Sequence, residues 1–161
     1  MADDALTMLR GHEFFRGIAD KHLEQLAQLC QVREFSPQTK VFEEFERAED
    51  VYFIVDGRIS LAICDGTGCR QISIVTAGDL LGWSPLVGRA RLFDTARTAT
   101  RVTTLVFPGA QLVQYCEKNL DFGFEFMRRA ATVLADRLSA TRVQLLELSG
   151  IHMPEFPLES D

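Results

Sequence analysis

Between residues 41 and 107 the chain is a series of short runs rich in β-branched and aromatic residues, separated by glycine-containing turns; on either side the apolar residues recur at helical spacing. The runs are Val41-Phe42, Val51-Tyr-Phe-Ile-Val55, Ile59-Ser-Leu-Ala-Ile63, Ile72-Ser-Ile-Val75 and Val102-Thr-Thr-Leu-Val-Phe107. Residues of this kind suit a pleated, half-buried surface, and so many short strands at close spacing argue for a sandwich or jelly roll. Ser36-Pro37-Gln38-Thr39 is a turn by composition, Asp56-Gly57 and Asp65-Gly-Thr-Gly68 are hairpin signals, and Gly78-Asp79 ends the next strand.

Upstream, residues 3–10 form one short expected helix and Lys21 to Leu29 a second, capped by Asp20 and carrying Leu23, Leu26 and Leu29 on one face. His12-Glu-Phe-Phe between them reads as a packed turn. Downstream, Gly109 to Glu117 is a short helix and Leu120 to Leu148 a long one without internal proline. Along the long helix Met127, Ala131, Leu134, Leu138, Thr141, Leu145 and Leu148 alternate by four and three, an a/d seam. Phe122, Phe126, Ala130 and Val133 make a second apolar face. A helix apolar on two faces needs two partners, so the seam is assigned to a homodimer contact. The expected fold class is α+β: a β-roll or jelly-roll barrel flanked by N-terminal helices and a long C-terminal helix. Residues 1–150 make one domain ending in a dimerisation helix at about 120–149, and residues 151–161 a tail with two prolines.

A formal net charge of −6 over 161 residues gains little from neutralising phosphates, so nucleic acid is not an expected partner. No apolar run has the length of a membrane span and the acidic N-terminus lacks a signal-like h-region, so the expectation is a cytoplasmic, reduced protein. Cys30, Cys64, Cys69 and Cys116 show no zinc-type pairing. Cys64 and Cys69 flank the Asp65–Gly68 turn and are expected as two thiols, with a redox-sensing disulfide as the alternative; Cys30 and Cys116 read as core residues. His12, His22 and His152 lie outside the expected strands, which argues against a cupin-like metal site, and no nucleophile–base–acid set is visible.

The remaining motif is the loop from Ala77 to Arg97, with Gly78-Asp-Leu-Leu-Gly82 followed by Trp83-Ser84-Pro85-Leu86-Val87 and Asp94-Thr95-Ala96. Together with Val51-Tyr-Phe-Ile-Val-Asp-Gly-Arg-Ile-Ser-Leu61 and Ala135-Asp-Arg-Leu138, this resembles the cyclic nucleotide-binding domain family, in particular the catabolite activator-type regulators, over roughly Phe14 to Glu147. The resemblance implies a cyclic phosphate held by backbone N–H groups after Gly82, where Ser84 caps a short helix and Pro85 sits in its first turn. It also marks two departures. The Glu that accepts from the ribose is replaced by Trp83, and the phosphate-pairing Arg by Asp94. Arg89, Arg91 and Arg97 are the loop guanidiniums available to replace it, and Asp94 is expected to be solvated or paired with one of them. Arg137 and Thr141 fall where the activator branch places an Arg and a base-contacting Thr, although a Thr there can also bond to its own helix backbone.

The candidate ligand-binding residues are therefore Gly82, Trp83, Ser84, Arg89, Arg91, Asp94, Thr95, Ala96, Arg137 and Thr141. The expected role is a non-enzymatic, stand-alone regulatory sensor whose effector is a cyclic nucleotide (cAMP or cGMP) or another small molecule. The alternative is a ligand-free interaction module with its pocket closed by Trp83. The resemblance places a DNA-binding domain after the long helix, where this sequence has only the short tail, so direct DNA contact is not expected of it.

Overall fold

The computed structural model describes residues 2–150; the expected tail and His152 lie outside them. Helices α1 (Ala2–Gly11) and α2 (Asp20–Leu29) are joined through a 3-10 turn at Glu13–Phe15. Eight strands follow: β1 (Gln31–Phe35), β2 (Lys40–Phe42), β3 (Asp50–Asp56), β4 (Arg58–Asp65), β5 (Gly68–Thr76), β6 (Leu80–Leu81), β7 (Thr95–Thr98) and β8 (Val102–Pro108). Helices α3 (Gly109–Lys118) and α4 (Leu120–Leu148) complete the order. The strands form two antiparallel four-stranded sheets, β1-β8-β3-β6 and β2-β7-β4-β5. The expected α+β roll is thus present as two sheets rather than a closed barrel. No helix among the described residues is long and apolar enough to cross a membrane.

The first sheet is covered on both faces. Val51 and Phe53 of β3, with Leu105 and Phe107 of β8, pack against the helices, together with Phe14, Phe15, Phe122 and Phe126. Tyr52 and Ile54 of β3, with Val102 and Val106 of β8, point the other way, onto Ile59, Leu61, Val75 and Ala96 of the second sheet. A strand buried on both sides has no reason to alternate, which is why Val51 to Ile54 reads as an unbroken apolar run. Burying an aromatic or aliphatic side chain of this kind contributes about 1.5–3 kcal/mol, so these two clusters dominate the stability of the fold. β4 has only one covered face and alternates over its first half, with Ile59 and Leu61 buried and Arg58, Ser60 and Ala62 less so, and the pattern ends at the bulge beside Ala62.

His12 ties the N-terminal turn to the roll. Its Nδ1 accepts from the Phe14 N–H at 3.2 Å, which leaves Nε2 to donate to the Ile54 carbonyl at 2.8 Å. Burial holds this imidazole below its ordinary pKa, and so neutral.

Several local expectations are corrected. Asp20 does not cap α2: it is the first helical residue, Ala19 occupies the cap position, and the Asp20 carboxylate accepts instead from Arg10 at 3.2 Å. Asp56-Gly57 is not a hairpin, because β3 and β4 belong to different sheets; it is the corner where the chain passes between them. Gly57 has φ +97°, and a Cβ there would lie 2.3 Å from the Arg101 carbonyl oxygen. The Asp65–Gly68 turn is a true hairpin, pairing β4 with β5. Its register sets Cys64 directly opposite Cys69, and the two are joined in a disulfide rather than held as thiols. Cys30 and Cys116 are buried free cysteines.

Gly57→Ala should lower the unfolding free energy by about 3 kcal/mol in urea titration, since both the backbone conformation and the space at the corner are denied to a side chain. Gly66→Ala, where a Cβ meets nothing within 4 Å, should change it little.

Candidate functional site

The loop after β5 is built by three left-handed glycines. Gly78 (φ +93°) turns the chain into β6, which pairs with β3 through Leu80↔Phe53 and Leu81↔Tyr52. Gly82 (φ +68°) turns it out again, with no room for a side chain because a Cβ would meet the Asp50 carbonyl oxygen at 2.9 Å. A 3-10 turn at Ser84–Val87 follows and Gly88 (φ +71°) closes it. Ser84 is not its cap. Trp83 takes the cap position without a side-chain hydrogen bond, and Ser84 is buried in the first turn with its carbonyl accepting from the Arg89 N–H at 3.0 Å.

The loop guanidiniums are all engaged away from Asp94. Arg89 lies over the Phe93 ring at 5.1 Å, Arg91 donates to the Phe45 carbonyl at 3.1 Å, and Arg97 donates to the Gln38 carbonyl at 2.9 Å. Asp94 is accordingly not paired with them; it is half-buried, with its carboxylate still reached by solvent. It faces a cavity of about 330 Å³ between β4, β5, the loop and α4, lined by Leu61, Ile72, Ser73, Trp83, Asp94, Leu134, Arg137, Leu138 and Thr141. Four of the residues expected from the sequence, Trp83, Asp94, Arg137 and Thr141, are brought together there. Gly82, Ser84, Thr95 and Ala96 are buried behind it, and Arg89 and Arg91 are exposed outside it.

The polar groups of the cavity are poorly matched to one another. The Asp94 carboxylate accepts no hydrogen bond among the described residues, and burial raises its pKa above 3.8, against the pull of Arg137 and with a further push from Glu44. Glu44 itself is buried; its Oε1 accepts from the Cys64 N–H at 2.8 Å, and its backbone N–H donates to Thr95 Oγ1 at 3.2 Å. Arg137 reaches from α4 across the roll. One guanidinium nitrogen donates to the Leu80 carbonyl, and the same nitrogen lies 3.9 Å from the Asp79 carboxylate. Its Nε is buried without a hydrogen-bond partner. Burial lowers the Arg137 pKa, while Asp79 and Asp94 oppose the shift. Thr141 Oγ1 donates to the Arg137 carbonyl at 2.9 Å, the local helix bond available to a Thr at that position. Trp83 stacks on Phe93, with centroids 5.3 Å apart and planes inclined by 8°, and forms one wall.

Glu44, Ser73 and Phe93 were not singled out in the sequence. A lone Glu before the loop and a Ser on a strand carry no spacing signal, and only the register of the strands brings them near Asp94. The seam residues Leu138, Thr141, Leu145 and Leu148 are exposed on α4 beyond the contacts that Phe122, Phe126 and Ala130 make with the core.

A half-buried carboxylate without a hydrogen-bond partner costs stability when ionised. Its folded pKa lies above the unfolded value, so the penalty is present at neutral pH and is relieved as pH falls through the folded pKa. Asp94→Asn should therefore raise the unfolding free energy by about 1 kcal/mol at pH 7. The gain should shrink towards about pH 4. Urea titrations of both proteins at the two pH values measure it.

With this geometry in hand, the chain can be placed among known proteins. The profile of the cyclic nucleotide-binding domain matches residues 32–119. The HTH-type transcriptional regulator Cmr of Mycobacterium tuberculosis is 29% identical over 129 residues, which are 80% of this chain and 51% of that protein. The chain thus spans about half the length of this curated relative. A cyclic nucleotide-binding protein of Geobacter metallireducens superposes with a TM-score of 0.73 at 23% identity, over 83% of this chain and 98% of that one. A cyclic nucleotide-binding domain of Methylobacillus flagellatus superposes with a TM-score of 0.76 at 14% identity, over 96% and 86%. At these identities the superpositions establish a shared fold.

Proposed function

This chain belongs to the cyclic nucleotide-binding domain family, and from that premise we propose that it is a non-enzymatic, dimeric regulatory sensor whose roll takes a small effector between Trp83, Asp94, Arg137 and Thr141. The observation that carries this reading is the pair of unmet polar groups in one cavity. The Asp94 carboxylate lacks a hydrogen-bond donor and Arg137 Nε lacks an acceptor. The buried Nε left so costs about 1–3 kcal/mol, and an effector offering a donor to Asp94 and an acceptor to Arg137 would engage both.

Asp94 disfavours the usual approach of a cyclic phosphate. Like charges about 4 Å apart at an effective dielectric of about 20 repel by roughly 4 kcal/mol. A cyclic nucleotide then binds with its phosphate away from Asp94, or binds once Asp94 is protonated. An effector carrying a donor group for Asp94 escapes that repulsion. One observation favours the second reading, a ligand-free interaction module: Trp83, which lines the cavity, is held stacked on Phe93. The unsatisfied Asp94 and Arg137 argue for the sensor, because a permanently closed pocket gains nothing from leaving them unpaired.

Dimerisation is proposed through the exposed stripe of α4. Leu138 is 60% exposed, Leu145 64% and Leu148 87%, an apolar surface at heptad spacing that a second helix of the same kind would cover. A cytoplasmic setting is part of the proposal; no helix among the described residues is long and apolar enough to cross a membrane.

Calorimetry with cAMP and cGMP tests the effector reading. Binding should be weak at pH 7.5, strengthen as pH falls and Asp94 protonates, and weaken with Thr141→Ala. Replacing Asp94→Arg together with Trp83→Glu should strengthen it roughly 100-fold. No heat at millimolar nucleotide at any pH would eliminate the cyclic-nucleotide form of the proposal. For the seam, Leu138→Glu should convert a sedimenting dimer to monomer, and an unchanged mass would remove that assignment.

A further inference from the structure

Cys64 and Cys69 face each other on the rung of the β4–β5 ladder next to its closing residues, Asp65 and Gly68, with Cα atoms 4.0 Å apart. The disulfide between them does little for the fold. It closes a loop of very few residues, so it removes little entropy from the unfolded chain. The turn is already held without it: Asp65 Oδ1 accepts from the Thr67 N–H at 2.8 Å, the Thr67 hydroxyl at 2.6 Å and the Gly68 N–H at 3.2 Å. Cys69 is exposed, so an external thiolate can reach its sulfur. The other two cysteines are the reverse case. Cys30 and Cys116 are buried, and burial pushes both thiols up to about 11, which keeps them protonated and unreactive.

Both strands that leave the disulfide run into the cavity wall. Leu61 of β4 and Ile72 and Ser73 of β5 line it, opposite Trp83. At this wall the ladder slips register at Leu61/Ala62, leaving Ile72 without a partner in the ladder, a bulge that separates the outer hairpin from the inner. A second connection runs through the backbone of Cys64, whose N–H donates to Glu44, the carboxylate that acts on Asp94.

We propose that Cys64 and Cys69 form a thiol–disulfide exchange site, taking a dithiol reductant or the corresponding disulfide oxidant, whose two redox states set the position of the β5 wall against Trp83. In the reducing direction a thiolate of the dithiol attacks Cys69 Sγ and the Sγ–Sγ bond breaks. Cys64 leaves as a thiolate and takes a proton from water. The second thiolate of the reductant then attacks the mixed disulfide, releasing Cys69. Two electrons have passed to the cysteine pair and the reductant departs as its own disulfide; oxidation is the reverse. The site stands independently of whether the cavity holds an effector.

The test uses the protein without effector, equilibrated across ratios of reduced to oxidised dithiothreitol, alkylated under native conditions and weighed intact. Emission of Trp83, the single tryptophan, is read in the same samples. Two alkylated thiols, mapped to Cys64 and Cys69, should appear together in one two-electron transition while Cys30 and Cys116 stay unlabelled. Trp83 emission should shift over the same range of ratios, and Cys64→Ser should abolish both the transition and the shift. A pair that stays reduced in oxidised dithiothreitol, a pair that stays oxidised in the reduced form, or a complete transition with Trp83 emission unmoved would each overturn the proposal.

Discussion

The contact between Arg137 and the Leu80 carbonyl is the joint on which the site depends. It fastens the middle of α4 to the short strand β6, and β6 exists only because Gly78 and Gly82 let the chain turn in and out of the sheet edge. Arg137 cannot be deprotonated at any working pH, so its burial obliges carboxylates to gather near it. Asp79 and Asp94 do so, neither as a close ion pair: Asp79 stands at 3.9 Å and Asp94 makes no ion pair within reach. A fully paired guanidinium would make this a structural brace. Left partly unpaired, it makes the cavity receptive.

The same joint connects the cavity to the outer face of the helix. Arg137 and Leu138 are neighbours in sequence; the guanidinium is drawn into the roll while Leu138 both lines the cavity rim and belongs to the exposed stripe. An effector that engages Arg137 therefore acts on the segment of α4 that carries the proposed dimer seam, without any intervening element. The β5 wall, with its bulge and its terminal disulfide, is the opposite side of the cavity.

Much of the fold was legible in residue patterns. Leu120–Leu148 was placed from its period and lack of proline, and the long strands from their β-branched runs. What failed were features fixed by tertiary context. Asp56-Gly57 has the local chemistry of a hairpin, and only the pairing of β3 with β8 and β6 shows that the chain changes sheets there. β6 and β7 were unreadable because Leu80-Leu81 is too short to show a period and Thr95–Thr98 has too few apolar residues. Within the site, Trp83 and Asp94 were identified by departing from the family pattern, but the partner of Asp94 was sought in the loop. Arg89, Arg91 and Arg97 are nearer in sequence, yet each satisfies a loop carbonyl or ring, and the guanidinium that faces Asp94 comes from a helix more than forty residues away.

The central claim is that Asp94 is a half-buried carboxylate without a hydrogen-bond partner among the described residues, facing Arg137 across an open cavity. Following the Asp94 side-chain carbon by ¹³C NMR through an acid titration of the effector-free protein tests it most directly. A midpoint above 3.8 is the expected result, because desolvation outweighs the distant guanidinium. A midpoint at or below 3.8 would show a carboxylate that is solvated or firmly ion-paired, and would contradict the account.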